Sequence, residues 1–586
     1  MLESQQNGFF DNMGGEFDAR LKMVTRTTRT TKSDGRELTV SNPLAIIEAR
    51  FSYKVLDRLL SPNFVAIERS VEGEKRYVMY EVVAVNPTHY QLPGIDASMP
   101  TLLRKEYLDT INESWGKSQE TWIDLAAVPT SYCAKLQGDG MEYTRASYAP
   151  LPGAKALLLS KPAVERFLCV TGGVEIGDMV GFEIPLTVDM DSLIRYHMGA
   201  FGFTGAGKSN LTSGLLRTAL ARDPLLTAVV FDIAGEYAVN LLDLLKAGSR
   251  IYTTETMDSA SEFVSSQAIP ETLEAALGRE KIEQELSGLY RGGVERLSLL
   301  DAGGIDLAWI QALLQGTVDS GRTGGTSAKI GISRLGMSLY EKRGYRSSTR
   351  LTDLDKEARD ELNALLKDIN QSVNERSGLR ADLDLIIKML DAPEGAPTGP
   401  ARVTPEVLAE RLVRGSAPRL NILYMPDPYN ARSVAARLIR RLLLLKKKVG
   451  NKQRVLILLD EAQEYIPDET TDRDFTRDSN LAVEQLLRQG RKYRLHCWMA
   501  TQRVARLNVN ALQQLHSYFV STLPRMYDRM VIADAFALPY EVLERSAELG
   551  TGEWLFVSFK AAKQRNVPVF LKTVNNESIV AGALNP

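Results

Sequence analysis

Residues 202–210 read GFTGAGKSN, with Gly202, Gly205 and Gly207 ahead of Lys208 and Ser209. The spacing G-x-x-x-x-G-K-S belongs to loops whose backbone N–H groups turn inward as a nest for phosphate oxygens. Such a loop constrains the fold, because it leaves a buried strand and opens a helix whose dipole adds positive potential. The flanks comply. HMGAFGF ahead of it is short and apolar, and SNLTSGLLRTALARD behind it sets Leu211, Leu215 and Leu216 on one side of a helix. LLTAVVFDIAGEY (225–237) reads as a second buried strand ending in a polar turn. Strand, loop, helix, strand is a parallel βαβ unit, so the fold class is α/β. The candidate nucleotide-binding residues are Gly202, Thr204, Gly205, Ala206, Gly207, Lys208, Ser209 and Asn210. Lys208 is placed to reach the β- and γ-phosphates, and Ser209 to coordinate Mg2+.

VLILLDEA supplies the other half of a hydrolytic site. Five apolar residues lead to Asp460 at the C-terminal end of a strand, the edge where open α/β sheets bind ligands. Asp460 is a candidate for Mg2+, held through water, and Glu461 for orienting the attacking water. Two adjacent carboxylates there are poor core residues, since burying charge is costly. MATQR (499–503) follows another apolar run and offers Gln502 as a sensor of the γ-phosphate or the water. LLRQGRKYR (486–494) carries Arg488, Arg491, Lys492 and Arg494. Arg491, and Arg195 in LIRYHMG, are candidates for an arginine supplied in trans to the transition state; the alternative is two ordinary surface arginines.

The rest of the chain sets the frame. Its 586 residues are too many for one core, and a prior of about 150 per domain gives three or four units. A net charge of -2 argues against a globally basic nucleic-acid coat, so any such contact is local. Three scattered cysteines suit a reducing cytosol. No apolar run reaches the ~18 residues that span a bilayer, and MLESQQNGFFDN lacks a signal-peptide pattern. The expectation is a cytoplasmic protein without a membrane segment. His89, His197, His496 and His516 are too scattered to read as metal ligands.

Residues 1–36 read as a flexible basic arm, with five basic and no acidic residues between Arg20 and Lys32. Its alternatives are a solvated tail or a contact to nucleic acid or a partner. Residues 37–190 alternate short apolar runs with turn signals (63–69, 76–85, 153–160, 179–189), which suggests a small β-barrel or sandwich with one helix near PTLLRKEYLDTINESW. The α/β core spans 191–257 and 401–586, ending in a strand pair. Between them, 258–400 reads as a helical insertion: Leu354, Ala358, Leu362, Leu365, Ile369 and Val373 recur at helical spacing, and Thr352 with Asp355 suggests a capping box. Residues 432–454 carry nine basic residues and no acid, read as a solvated helix face with DNA contact as the alternative. DETTDRDFTRDSN (468–480) reads as a mixed-charge loop.

Taken in order, LIRYHMGAFGFTGAGKSN, FDIAGEY, LLDEAQEY, RQGRKY and MATQR resemble the HerA group of FtsK–HerA motor ATPases. The resemblance covers roughly 190–250 and 415–525, and the 37–190 region fits the family's small HAS-barrel. It implies a RecA-like P-loop ATPase core, a homohexamer with ATP and Mg2+ between subunits, and double-stranded DNA as cargo. By the same resemblance Lys208 and Ser209 bind nucleotide, Asp460 serves Mg2+, Glu461 is the catalytic base, Gln502 the sensor, and Arg491 and Arg195 the trans arginines. HerA-like motors work with a separate nuclease, and some bacterial relatives with a sirtuin-like or nuclease effector against phage. An ATP-regulated ring scaffold that activates an effector, and a protein remodeller, are the rival functions. Two departures stand out: DIAGEY replaces the more usual D-P-H-G-E-Y, and Tyr196 separates Arg195 from His197, where the family often has arginine directly before histidine.

Overall fold

The computed structural model describes residues 8–585 apart from 34–35, 93–94, 96–98, 118–119, 138–139, 247, 256, 258, 300–305, 320–324, 348, 374–377, 392–402, 451 and 471–473. The chain forms two compact units. The first holds Met1–Leu193, Phe201–Ala206 and His516–Val574; the second holds Ile194–Ala200, Gly207–Leu515 and Asn575–Pro586.

The first unit begins with seven antiparallel strands: β1 (Ala19–Ser33), β2 (Arg36–Arg50), β3 (Asn63–Val71), β4 (Glu74–His89), β5 (Thr121–Gln137), β6 (Gly140–Arg145) and β7 (Lys155–Leu158). Their order is β2-β1-β7-β3-β4-β5-β6, and β2 also pairs with β5 from Ala45↔Ala127 to Arg50↔Trp122. That last pairing joins the two ends of a row of six strands, the closure that defines a barrel. Alternate residues fill its interior, including Leu21, Ala45, Ile47, Val65, Ile67, Val82, Ile123 and Leu125, all buried. The segment expected as a flexible arm is different. Residues 19–33 are β1, paired with β2 out to Ser33↔Arg36, so only residues 1–7 and 34–35 of that arm lie outside the described residues. Threonines are β-branched and suit an extended strand. Thr27 and Asn42 on facing positions donate to Glu541 and brace the ribbon. The expected helix is present at Thr101–Ser114. The run 179–189 holds the end of β8 (Val174–Met179), a turn and the whole of β9 (Pro185–Val188).

The second unit is a parallel sheet with helices. Its strands are β10 (Met198–Phe201, whose last residue belongs to the first unit), β11 (Leu226–Asp232), β12 (Arg250–Thr253), β13 (Val294–Arg296), β14 (Leu420–Tyr424), β15 (Arg454–Leu459) and β16 (Leu495–Thr501), ordered β13-β12-β14-β11-β15-β16-β10. β11 is paired in parallel on both sides, and all seven of its residues are buried. The remaining strands of the first unit, β17 (Ser517–Val520), β18 (Glu553–Ser558) and β19 (Val569–Lys572), pair antiparallel and continue to β8.

Between β12 and β14 the insertion is mostly helical, with its own core from Leu307 to Leu390. It also contributes β13 to the parallel sheet, which its helical periodicity hides. The helix Lys356–Gln371 is capped by Asp355, whose carboxylate accepts from the Ala358 N–H at 2.8 Å, while the side chain of Thr352 lies outside the described residues. Three helices flank the strand ends of the parallel sheet: α1 (Lys208–Arg222), α2 (Pro428–Val449) and α3 (Thr476–Gln489). α3 absorbs the end of the stretch read as a mixed-charge loop. Among the described residues no helix is long and apolar enough to cross a membrane.

The basic run on α2 is neither a bare solvated face nor spare charge. Arg437 makes two bonds to Glu406 (2.7 and 2.8 Å), Arg432 pairs with Glu464 (2.6 Å) and Asp474 (3.5 Å), Arg440 with Asp478 (2.5 Å), and Arg441 with Glu410. Its arginines dock the neighbouring helices Pro405–Arg414 and α3.

Candidate active site

The loop after β10 turns on glycines with left-handed backbone, Gly205 (φ +84°) and Gly207 (φ +94°). Gly207 caps α1, so the chain passes from strand to helix within a few residues. Within the first unit, the Ala206 N–H bonds the Phe203 carbonyl (3.2 Å), and the Ala206 carbonyl accepts from the Gly552 N–H (3.2 Å). A Cβ on Gly202 would stand 3.2 Å from the Cβ atoms of Ala206 and Ser521, which leaves little room for a side chain. Thr204 is exposed in the same turn. Lys208, first residue of α1, is 9% exposed.

The Asn210 amide donates to Asn575 (2.7 Å) and Glu577 (3.2 Å) and accepts from the Asn576 N–H (2.9 Å). The side chain anchors the helix Asn576–Leu584 onto α1.

The carboxylates gather at the C-terminal ends of β11 and β15. Asp460 is 3% exposed, and burial pushes its carboxyl well above the usual range, helped by Asp232, Glu236 and Glu461 and opposed by Lys208. Asp232 closes β11 and accepts from the N–H groups of Gly235 (2.8 Å), Glu236 (3.2 Å) and Tyr237 (2.9 Å). Its burial raises it to about 6 despite those three bonds. The turn is tight: a Cβ on Gly235 (φ +77°) would lie 2.6 Å from the Ser266 carbonyl oxygen. This turn aims Glu236 at α1, where the Ser209 hydroxyl donates to it. The Tyr237 hydroxyl, also buried, meets Thr212 of α1 at 2.8 Å. Asp232 and Glu236 were not singled out from the sequence. The signal was present in FDIAGEY, an acid at a strand end followed by an acid four residues on.

Glu461 sits in left-handed backbone (φ +47°), a strained conformation for a non-glycine residue, and opens a 3-10 turn. Two amides hold its carboxylate: Gln463 at 3.0 Å and Gln502 at 3.3 Å. The Thr501 hydroxyl in turn donates to Gln463. The two amides hold that carboxylate in one orientation. Gln463 also escaped the sequence reading, although it lies in the quoted LLDEAQEY.

Arg195 and Arg491 lie at the other end of the strands. His197 joins the start of β10 to that of β16: its Nδ1 accepts from the Cys497 N–H (3.0 Å), and Nε2 donates to the Leu487 carbonyl (3.1 Å). Arg195 immediately precedes Tyr196 and His197, and Arg491 lies in the turn Gly490–Tyr493 between α3 and β16. Seven residues of β16, about 23 Å of extended chain, separate that turn from Gln502. Four residues of β10, about 13 Å, separate His197 from the glycine loop. Arg195 and Arg491 therefore stand at the opposite end of these strands from Lys208 and Gln502.

The donor set suits a nucleotide with a divalent cation. A glycine loop and helix N-terminus take phosphate, Lys208 adds a charge, and the Ser209 hydroxyl faces a cluster of carboxylates that a cation would relieve. Among the described residues no three His, Cys, Asp or Glu side chains are grouped to hold a metal by themselves.

Residues 174–293 match the family model "DUF87: Helicase HerA, central domain". No curated protein matches the chain in sequence. Among solved structures, VirB4 of Thermoanaerobacter pseudethanolicus is 14% identical, with 70% of this chain and 99% of that one covered at a TM-score of 0.37. The bacterial conjugative coupling protein TrwB lacking its first residues is also 14% identical, covering 72% and 93% at 0.36. The genome packaging NTPase B204 from Sulfolobus turreted icosahedral virus 2, in complex with ATP-gammaS, is 16% identical, covering 28% and 71% at 0.22.

Proposed function

Because residues 174–293 match the HerA central-domain family, we propose that this protein is a P-loop ATPase that assembles as a homohexamer and moves double-stranded DNA. One observation carries the reading. The site's base and carboxylates stand at the C-terminal ends of the strands, while Arg195 and Arg491 stand at the N-terminal ends of the same sheet. A head-to-tail ring puts one chain's arginines against the next chain's phosphates, and heterologous contacts of that kind close into rings.

In that site Lys208 and the loop N–H groups bind the β- and γ-phosphates. Ser209 and Asp460 would hold Mg2+, which neutralises charge on the phosphates. Glu461, fixed by Gln463 and Gln502, orients the attacking water and accepts its proton. The adjacent chain's arginines stabilise charge building on the transferred phosphoryl group, a contribution of about 10³–10⁵ in rate. Catalysis is then a property of an interface, which couples hydrolysis to movement of one chain against the next. A cytoplasmic setting and a separate nuclease or sirtuin-like effector, in DNA-end processing or phage defence, complete the proposal.

ATPase rate with and without duplex DNA, across salt concentrations, tests it. Stimulation by duplex that Glu461→Ala abolishes supports the motor. A rate indifferent to DNA, together with nucleotide-dependent binding of a second protein, supports the ring scaffold instead. Lys208→Ala loses nucleotide binding in either case.

A further inference from the structure

Tyr196, the residue that breaks the family's arginine–histidine pair, has a definite place. The Cζ of Arg491 lies 5.2 Å from the Tyr196 ring centroid and the Cζ of Arg195 lies 5.7 Å from it. Both arginines are exposed and Tyr196 is half-buried. Guanidinium groups are attracted to the negative face of an aromatic ring within about 6 Å. The ring thus gathers two like charges that would otherwise repel.

The backbone that carries Tyr196 and the turn that carries Arg491 are both held in place. His197, the next residue, is 3% exposed with left-handed backbone (φ +60°), and both its nitrogens are bonded across the strand starts. On the other side, Gly490 opens the turn that carries Arg491, and a Cβ there would meet the Leu495 carbonyl oxygen at 2.7 Å. Neither turn can shift without breaking these contacts. The tyrosine lies between two turns held in this way, with both guanidinium groups over its ring.

We propose that Tyr196 is a positioning residue that gathers Arg195 and Arg491 into one pair presented to the phosphate held by the adjacent chain. The proposal rests on the trans reading above and adds a residue to it. An arginine roaming its rotamers meets the transition state less often than one resting on a ring. The effect falls on turnover, because nucleotide binding belongs to the other chain's loop.

The test is steady-state ATPase kinetics of the full-length protein as Tyr196→Phe, Tyr196→Leu and Arg491→Ala, with assembly followed by light scattering. Phenylalanine keeps the ring face, and leucine keeps bulk without it. The expected result is a kcat about 10-fold lower for Tyr196→Leu with KM within about two-fold, and near wild-type kcat for Tyr196→Phe. Tyr196→Leu added to Arg491→Ala costs much less than it does alone, since the two act together. Unchanged kcat in Tyr196→Leu, equal damage in Tyr196→Phe, a KM that rises with the loss of kcat, or loss of assembly each overturns the proposal. Arg491→Ala turning over at the wild-type rate sinks the trans reading itself. A damaged Arg491→Ala beside a normal Tyr196→Leu sinks this proposal alone.

Discussion

Glu81 offers a titration that one substitution isolates. It lies on β4 between Phe64 of β3 and Val128 of β5, 2% exposed. Burial pushes its carboxyl from 4.5 up to about 8, against the pull of Arg545. Its Oε2 is buried without a hydrogen-bond partner among the described residues. In the unfolded chain the group ionises near 4.5, so above that pH the unfolded state sheds a proton the folded state keeps. The stability carried by the protonated group is complete below pH 4.5 and is lost as pH rises through about 8, at about 1.4 kcal/mol per pH unit. Glu81→Gln keeps the shape and removes the titration. Its unfolding free energy should match wild type within about 1 kcal/mol near pH 4.5, then exceed it by a few kcal/mol at pH 8 and level off above. Urea unfolding of both proteins across pH 4.5–9, read as the difference between them, cancels every other titrating group. A difference that stays flat across that range refutes the reasoning.

Two structural predictions concern the parts that hold the site. His197→Ala strips the Cys497 N–H and the Leu487 carbonyl of their partners in a buried edge, and should lower stability by about 2–5 kcal/mol in chemical denaturation. Asn576→Ala removes the donor to the buried Asn240 carbonyl (2.8 Å) and the acceptor for Arg217 Nε (3.2 Å). It should cost about 1–3 kcal/mol and raise amide exchange in the last helix, Asn576–Leu584, ahead of the rest of the chain.

Much of the α/β core was legible because each candidate site residue follows a short apolar strand, and strand ends are where such sheets bind ligands. Lys208, Ser209, Asp460, Glu461 and Gln502 were read as a candidate site on that pattern. Asp232, Glu236 and Gln463 were not, because their roles depend on where a turn aims a side chain, here at Ser209 and Glu461. The anchoring role of Asn210 was hidden for the same reason: its partners lie some 365 residues away in the chain. β1 was mistaken for part of a flexible arm because it pairs along its length with β2 while exposing many of its polar side chains, so the hydrophobic alternation that marks strands is missing. Barrel closure depends on Ala45 meeting Ala127, a pairing that no local pattern announces. The basic run on α2 looked solvated because its counter-charges, Glu406, Glu410 and Asp478, sit on other helices.

In the proposed ring each site is completed by a neighbour. Mixing Glu461→Gln chains with Arg491→Ala chains tests it directly. Each variant alone has every interface broken. In a 1:1 mixed ring about one interface in four joins an intact base to an intact arginine, so ATPase activity should return to about a quarter of wild type if interfaces act independently. Mixtures that stay as inactive as the separate variants at every ratio, while an affinity tag on one variant co-purifies the other in the same rings, would contradict it.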